Sequence, residues 1–249
     1  MPPMTFQSFL NALAARTPGV RWLRAWYAKR QTWRTWPGAA EYWQRRYRSG
    51  GNSGSGSYGA LAEFKAETLN RFVRQHGVAS VIEFGCGDGN QLRQAEYPSY
   101  IGLDVAREAI RLCKSQFAAD PTKSFFLYDP ECFVDHAQLF WAEAAVSLDV
   151  IFHLVEDRVF EQYMAHLFQC AKHFVIIYSS NRDILTNSPH ERHRNFGDYV
   201  EQHFADWRLV ERVENPFPLS KYPPPLGSLA DFYFYERIAD RTRGLRPPA

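Results

Sequence analysis

Residues 80–92 read SVIEFGCGDGNQL, and no other stretch constrains the fold as strongly. Val81, Ile82 and Phe84 favour a strand, and they run straight into three glycines at alternate positions, Gly85, Gly87 and Gly89. A strand, a tight glycine turn and a following helix make a nucleotide-binding corner, because glycine admits close approach of the backbone while helix amides face the ligand. The spacing is not that of a dinucleotide fingerprint. G-x-G-x-x-G would put glycine at position 90, where this chain has Asn90. The order here is an acid, Glu83, and then G-x-G-x-G with Cys86 inside the turn.

The chain around this corner alternates helix and strand. Leu61, Phe64, Leu69, Phe72 and Val73 form one stripe of a helix over 60–78, with Gly77 where a helix would stop. The strand SYIGLDV ends in Asp104, nineteen residues beyond Gly85. An acid at that carboxyl end can accept both hydroxyls of a ribose and would repel a 2'-phosphate. After the helix AREAIRLCKSQF, a third strand, SFFLYD, ends in Asp129. A fourth strand ends near Ser147, a helix follows from Asp157, and HFVIIYSSN is apolar enough for a strand buried on both faces. An irregular stretch then leads to two last strands, WRLVERVE and LADFYFYERI. Each acid alone also reads as a solvated turn or a helix cap; together, each at a strand end in order, they point to a nucleoside.

This order resembles the class I S-adenosylmethionine-dependent methyltransferases over residues 60–238. The resemblance implies an α/β, Rossmann-like fold: a mostly parallel seven-stranded sheet closed by an antiparallel hairpin. It implies S-adenosylmethionine as cofactor, held by Glu83, Gly85, Cys86, Gly87, Gly89, Asp104 and Ser147, with Asp129 at the adenine amino group. A narrower likeness, carried by GGNSGSGSYG, LAEFKAE, SLDVIFHLVED, FVIIYSSN and ADFYFYER, is to a bacterial group associated with polysaccharide synthesis. It implies O-methylation of a sugar hydroxyl in a glycan or glycolipid precursor.

An alcohol acceptor must lose its proton, and His153, just after the fourth strand, is the candidate base. A histidine there that only packs or closes over the cofactor is the competing reading. Asp149 can orient His153, contact the acceptor or help bind a divalent cation such as magnesium; a turn or cap aspartate is the plain alternative. His190, Arg192, His193 and Arg194 can hold a sugar, phosphate or carboxylate, or be a solvated basic loop. The Asn/Asp-Pro-Pro-aromatic run typical of base-amino methylation is replaced by SLDV, and no specific nucleic-acid partner is expected. RNA or protein methylation, and a non-catalytic cofactor-binding scaffold, stay open as alternatives.

The first 48 residues lie outside the resemblance. Residues 1–40 hold six Lys or Arg, no Asp or Glu, and four of the seven tryptophans. Trp22, Leu23, Trp26 and Tyr27 share a helical face. Such a helical arm packs on the main domain or a second copy in a homodimer, touches an anionic membrane, or binds nucleic acid. SGGNSGSGSYG at 49–59 reads as a linker or as a lid whose Tyr58 closes over the cofactor, and the lid reading is preferred. The tail is 239–249. Four cysteines without a C-x-x-C pair, no signal-peptide pattern and no apolar run of about 20 residues lead to a cytoplasmic expectation, at the inner membrane face if the arm binds lipid.

Overall fold

The computed structural model describes residues 36–238 apart from 185 and 187. The aromatic stripe at Trp22 and Trp26 and the tail 239–249 lie outside the described residues. The strands are β1 (Val81–Phe84), β2 (Tyr100–Asp104), β3 (Lys123–Leu127), β4 (Ala142–Leu148), β5 (Ala171–Ser179), β6 (Trp207–Val213) and β7 (Asp231–Arg237). They form one seven-stranded sheet in the order β3-β2-β1-β4-β5-β7-β6. Strands β1 to β5 are parallel, and β7 runs antiparallel to both β5 and β6. The α/β, Rossmann-like sheet with its closing hairpin is the one expected.

Among the described residues five α-helices accompany it: α1 (Ala39–Arg48), α2 (Gly59–His76), α3 (Arg107–Gln116), α4 (Asp157–Gln169) and α5 (Phe196–His203). Side chains alternate across β1, so Ile82 and Phe84 pack with Phe160, Met164 and Leu167 of α4, while Val81 joins Leu69, Phe72 and Val73 of α2. Val175 to Tyr178 of β5 are buried on both faces, as their unbroken apolar run requires. The chain leaves β1 for β2 on one side and later returns to β4 on the other. That reversal opens a crevice at the carboxyl ends of β1 and β4, where doubly wound sheets bind ligands.

Two local expectations need correction. The glycine turn leads not into an α-helix but into a single 3-10 turn, Gln91–Gln94. Asn70 of α2 turns the chain back there, donating to the Gln94 carbonyl at 2.8 Å and accepting from the Glu96 amide at 2.9 Å. The stretch before the last two strands, read as irregular, contains α5. Its signal is short: Asn195 caps the Asp198 amide, and Phe196 and Val200, one turn apart, are its buried residues. No helix among the described residues is long and apolar enough to cross a membrane.

Tyr163 ties α4 to the sheet at the crevice. Its hydroxyl lies 3.0 Å from the Phe84 carbonyl and 2.7 Å from the Ser147 hydroxyl, all buried. Tyr163→Phe strands both partners and should cost about 1–3 kcal/mol, seen as a lower urea midpoint with an unchanged slope.

Candidate active site

A cavity of about 460 Å³ occupies the crevice, within the range that small-molecule sites use. Gly85 and Gly87 adopt φ of +87° and +59° as the chain leaves β1. A side chain at Gly85 would strike Val150, and one at Gly87 would strike the Ser53 hydroxyl. The amides of this turn point inward rather than at a ligand. Gly85 and Cys86 donate to the Leu103 carbonyl at 2.7 and 3.0 Å, Gly87 to Asp104 at 2.9 Å, and Asp88 to Ser53 Oγ at 2.9 Å. The glycines therefore serve close packing of backbone, not an amide cradle.

Glu83, Asp104 and Asp129 all line the cavity, each at the end of its strand or just past it. Asp104 accepts from Gly87 N through one oxygen and from Ala106 N, at 2.8 Å, through the other. Burial pushes its pKa up to about 6 although both amides pull the other way. Glu83 accepts from the Tyr100 hydroxyl at 2.6 Å. Burial lifts it to about 7 against that bond and the nearby Lys65 charge. Asp129 caps the Glu131 amide at 2.9 Å. Cys86 also lines the cavity, its thiol raised by its hydrogen bond with Cys113 and by burial. Gly89 and Ser147 stand behind the wall: Gly89 packs on Phe117 and Cys113, and Ser147 holds Tyr163.

Past β4, Asp149 takes a left-handed φ of +59°. Its carboxylate meets the ammonium of Lys65 at 2.7 Å, and the lysine side chain is fully buried over the Tyr178 ring. A lysine already holds the place a divalent cation would take, and no group of three potential metal ligands occurs among the described residues. The site does not fit magnesium. Nor does Asp149 orient His153. That task falls to the His190 carbonyl, 2.8 Å from His153 Nδ1, which must donate to it; Nε2 keeps its lone pair. The His153 ring keeps some surface on the cavity but is crowded by Trp43, Phe152 and His190, and this burial lowers its pKa to about 4.

The segment before α2 is part of the site. From α1, Trp43 packs edge-on against His153, with centroids 5.0 Å apart, and both residues line the cavity with Tyr47. The glycine-serine loop lies down on the glycine turn: Asp88 accepts from the Ser53 amide at 2.9 Å and the Tyr58 hydroxyl at 2.8 Å, and Asn90 donates to the Ser57 carbonyl at 2.7 Å. Ser53 and Ser57 line the cavity, whereas Tyr58 is exposed beside it. Neither Lys65, Asp88 nor residues 36–47 were singled out from the sequence as site residues.

The 190–194 cluster sits outside the cavity wall. Arg194 pairs with Asp157 at 2.6 Å and donates to the Leu154 and Val155 carbonyls, and Arg192 reaches Asp157 at 3.0 Å. His193 meets the Ser180 hydroxyl at 2.5 Å, and His190 stacks on Tyr42 at 4.7 Å. These groups brace the 153–157 turn.

No family model matches the sequence, and no curated protein matches it. Solved structures do. N-methyltransferase NodS from Bradyrhizobium japonicum WM9 with S-adenosyl-L-homocysteine is 14% identical, at a TM-score of 0.56 over 71% of this chain and 87% of that one. Magnesium protoporphyrin IX methyltransferase ChlM from Synechocystis PCC 6803 with bound SAH is 12% identical, at 0.52 over 70% and 82%. The methyltransferase domain of bacterial CtHen1-C is 19% identical, at 0.53 over 70% and 97%. The chain has the class I methyltransferase fold. At such identities the likeness is one of fold, and chemistry must come from the residues.

In this methyltransferase fold the buried acids shape stability. Between about 4.5 and about 7 folded Glu83 keeps a proton that the unfolded chain has released. The Glu83 contribution to stability therefore falls as pH rises through that window and levels off above it. Glu83→Gln should remove that limb, worth on the order of 3 kcal/mol, so the change in urea midpoint from pH 5 to pH 8 should be more positive in the variant than in the parent. The Asp104 limb ending near 6 and the opposing gain from His153 between about 4 and about 6.5 are common to both.

Proposed function

We propose that the chain binds S-adenosylmethionine in this cavity and transfers its methyl group to a hydroxyl, that of a sugar in a glycan or glycolipid precursor. The observation that carries the reading is His153 on the cavity wall, with Nδ1 donated to the His190 carbonyl and Nε2 unspent. The cofactor supplies a methyl made electrophilic by its sulfonium.

The residues fit that cofactor. Asp104 has lone pairs left beyond the two amides it accepts, enough for two ribose hydroxyls. Gly85 and Gly87 line the cavity beside it, and Asp129 stands at the next strand end for an amino group. Lys65 and Asp149 present one ammonium and one carboxylate side by side, a match for the carboxylate and ammonium of an amino acid. Leu148, Val150, Leu154 and Trp43 keep water from the reacting groups.

His153 takes the acceptor proton at Nε2. Its lowered pKa keeps the imidazole neutral throughout the physiological range, and with Nδ1–H committed to the His190 carbonyl the free lone pair is on Nε2. A base so weak works while the oxygen–methyl bond forms, since the acceptor proton is acidified only then. His153→Ala should lower kcat by about 10²–10⁴-fold and leave calorimetric affinity for S-adenosylmethionine unchanged. Retained turnover would reduce His153 to a packing residue.

The glycine-serine loop acts as a lid. Its anchors, Asp88 and Asn90, belong to the turn that would touch the cofactor. Adding S-adenosylhomocysteine should therefore slow proteolysis at 49–58, and an unchanged cleavage rate would make the stretch a plain spacer.

A further inference from the structure

The acceptor end of the cavity is acidic, and its acids have unequal partners. Among the described residues seven carboxylates line the cavity: Glu83, Asp88, Asp104 and Asp129 at the glycine turn and the strand ends, Glu131 just beyond Asp129, and Asp149 and Glu156 on either side of His153 in sequence. The one lysine or arginine lining the cavity with them is Lys65, held by Asp149, while Arg158 reaches Glu131 at 3.5 Å from outside the lining. Arg192 and Arg194, which could have balanced the charge, are turned away onto Asp157 and the carbonyls behind the wall.

Glu156 stands out among these acids. It occupies the N-cap position of α4 yet makes no capping hydrogen bond. Its Oε1 instead accepts from Trp36 Nε1 at 2.8 Å, across 120 residues of chain, and its Oε2 is buried with no hydrogen-bond partner among the described residues. An orphaned buried carboxylate oxygen costs free energy unless a donor reaches it. Three residues before Glu156 lies His153, and the Trp43 ring packs against His153 at 78° to its plane. A polyol carries hydroxyl donors for both groups and an apolar ring face for an indole.

Resting on the hydroxyl-methylation reading above, we propose that Glu156 is the specificity residue of the acceptor subsite. Its Oε2 accepts a hydrogen bond from a second hydroxyl of an uncharged sugar whose reacting hydroxyl faces His153 Nε2. The part of the acceptor that enters the cavity carries no phosphate or carboxylate, because Asp149 and Glu156 would face it and, among the described residues, the one lysine or arginine in the lining, Lys65, is already paired. Any anionic portion of a larger precursor stays outside.

The test uses the full chain loaded with S-adenosylhomocysteine, titrated calorimetrically with neutral methyl glycosides and with the matching uronates and 6-phosphates. Neutral glycosides should bind about 10-fold or more tightly than their anionic counterparts. Glu156→Gln puts an amide N–H where an acceptor oxygen stood. It should weaken the neutral ligand about 10-fold, shrink the neutral-over-anionic preference, and leave affinity for S-adenosylhomocysteine unchanged. Trp36→Phe, which frees the carboxylate without deleting it, should move both quantities in the same direction by less, and it guards against a folding defect in the first variant. Equal or tighter binding of uronates or phosphates, or a Glu156→Gln chain with the original preference, overturns the assignment. Binding of the cofactor product with no binding of any glycoside overturns the sugar reading itself.

Discussion

The hydrogen bond from the Gly87 amide to the Asp104 carboxylate, 2.9 Å long, joins the exits of β1 and β2, and the cavity is arranged around that joint. The second oxygen of Asp104 takes the Ala106 amide and sets the start of α3. One buried side chain thus places both walls. Its cost shows in a pKa raised to about 6, which two backbone donors offset only in part. The glycine at 87 lets the joint close and also leaves room for the Ser53 hydroxyl above it. From there the order propagates outward: Ser53 to Asp88, Asp88 to Tyr58, and Tyr47 to Ser53 at 3.0 Å. The loop before α2 is seated because the glycine turn is.

Most of the fold was legible because its signals are local. Each strand expected from its apolar run is present, and so are the helices over 59–76, 107–116 and 157–169. What failed was short. A four-residue 3-10 turn replaces the expected helix after Gly89, because a contact from Asn70 overrides local preference. α5 went unread because eight residues with two buried apolar positions give too little periodicity.

The site divides along the same line. Glu83, Asp104 and Asp129 were readable from strand ends, and all reach the cavity. The partners that decide their chemistry were not readable, because they are distant in sequence: Lys65 and Asp149 are 84 residues apart, and Trp36 and Glu156 are 120. One clue was present. Lys65 falls one turn after Leu61 and one before Leu69, on the buried stripe of α2. A lysine on an apolar stripe marks a charge that the fold must satisfy internally, and here Asp149 satisfies it. Asp149 and His153 were correctly placed at the carboxyl end of β4, but their partnership was not: each has a separate partner, Lys65 and the His190 carbonyl.

Burial acts on Glu83, Asp104 and His153 in the same sense. It raises Glu83 and Asp104 and lowers His153, so each is pressed toward its neutral form. The strain is relieved by donors and acceptors a ligand can bring, and each such bond would be made at a position the fold already holds. A ligand that completes these bonds stabilises the folded chain by mass action, while one that adds negative charge to the same space works against it. On the proposed reading, the burial that makes these charges costly is also what would make the cavity selective. On that reading stability and specificity would draw on the same buried carboxylates, and a substitution that relaxes one should loosen the other.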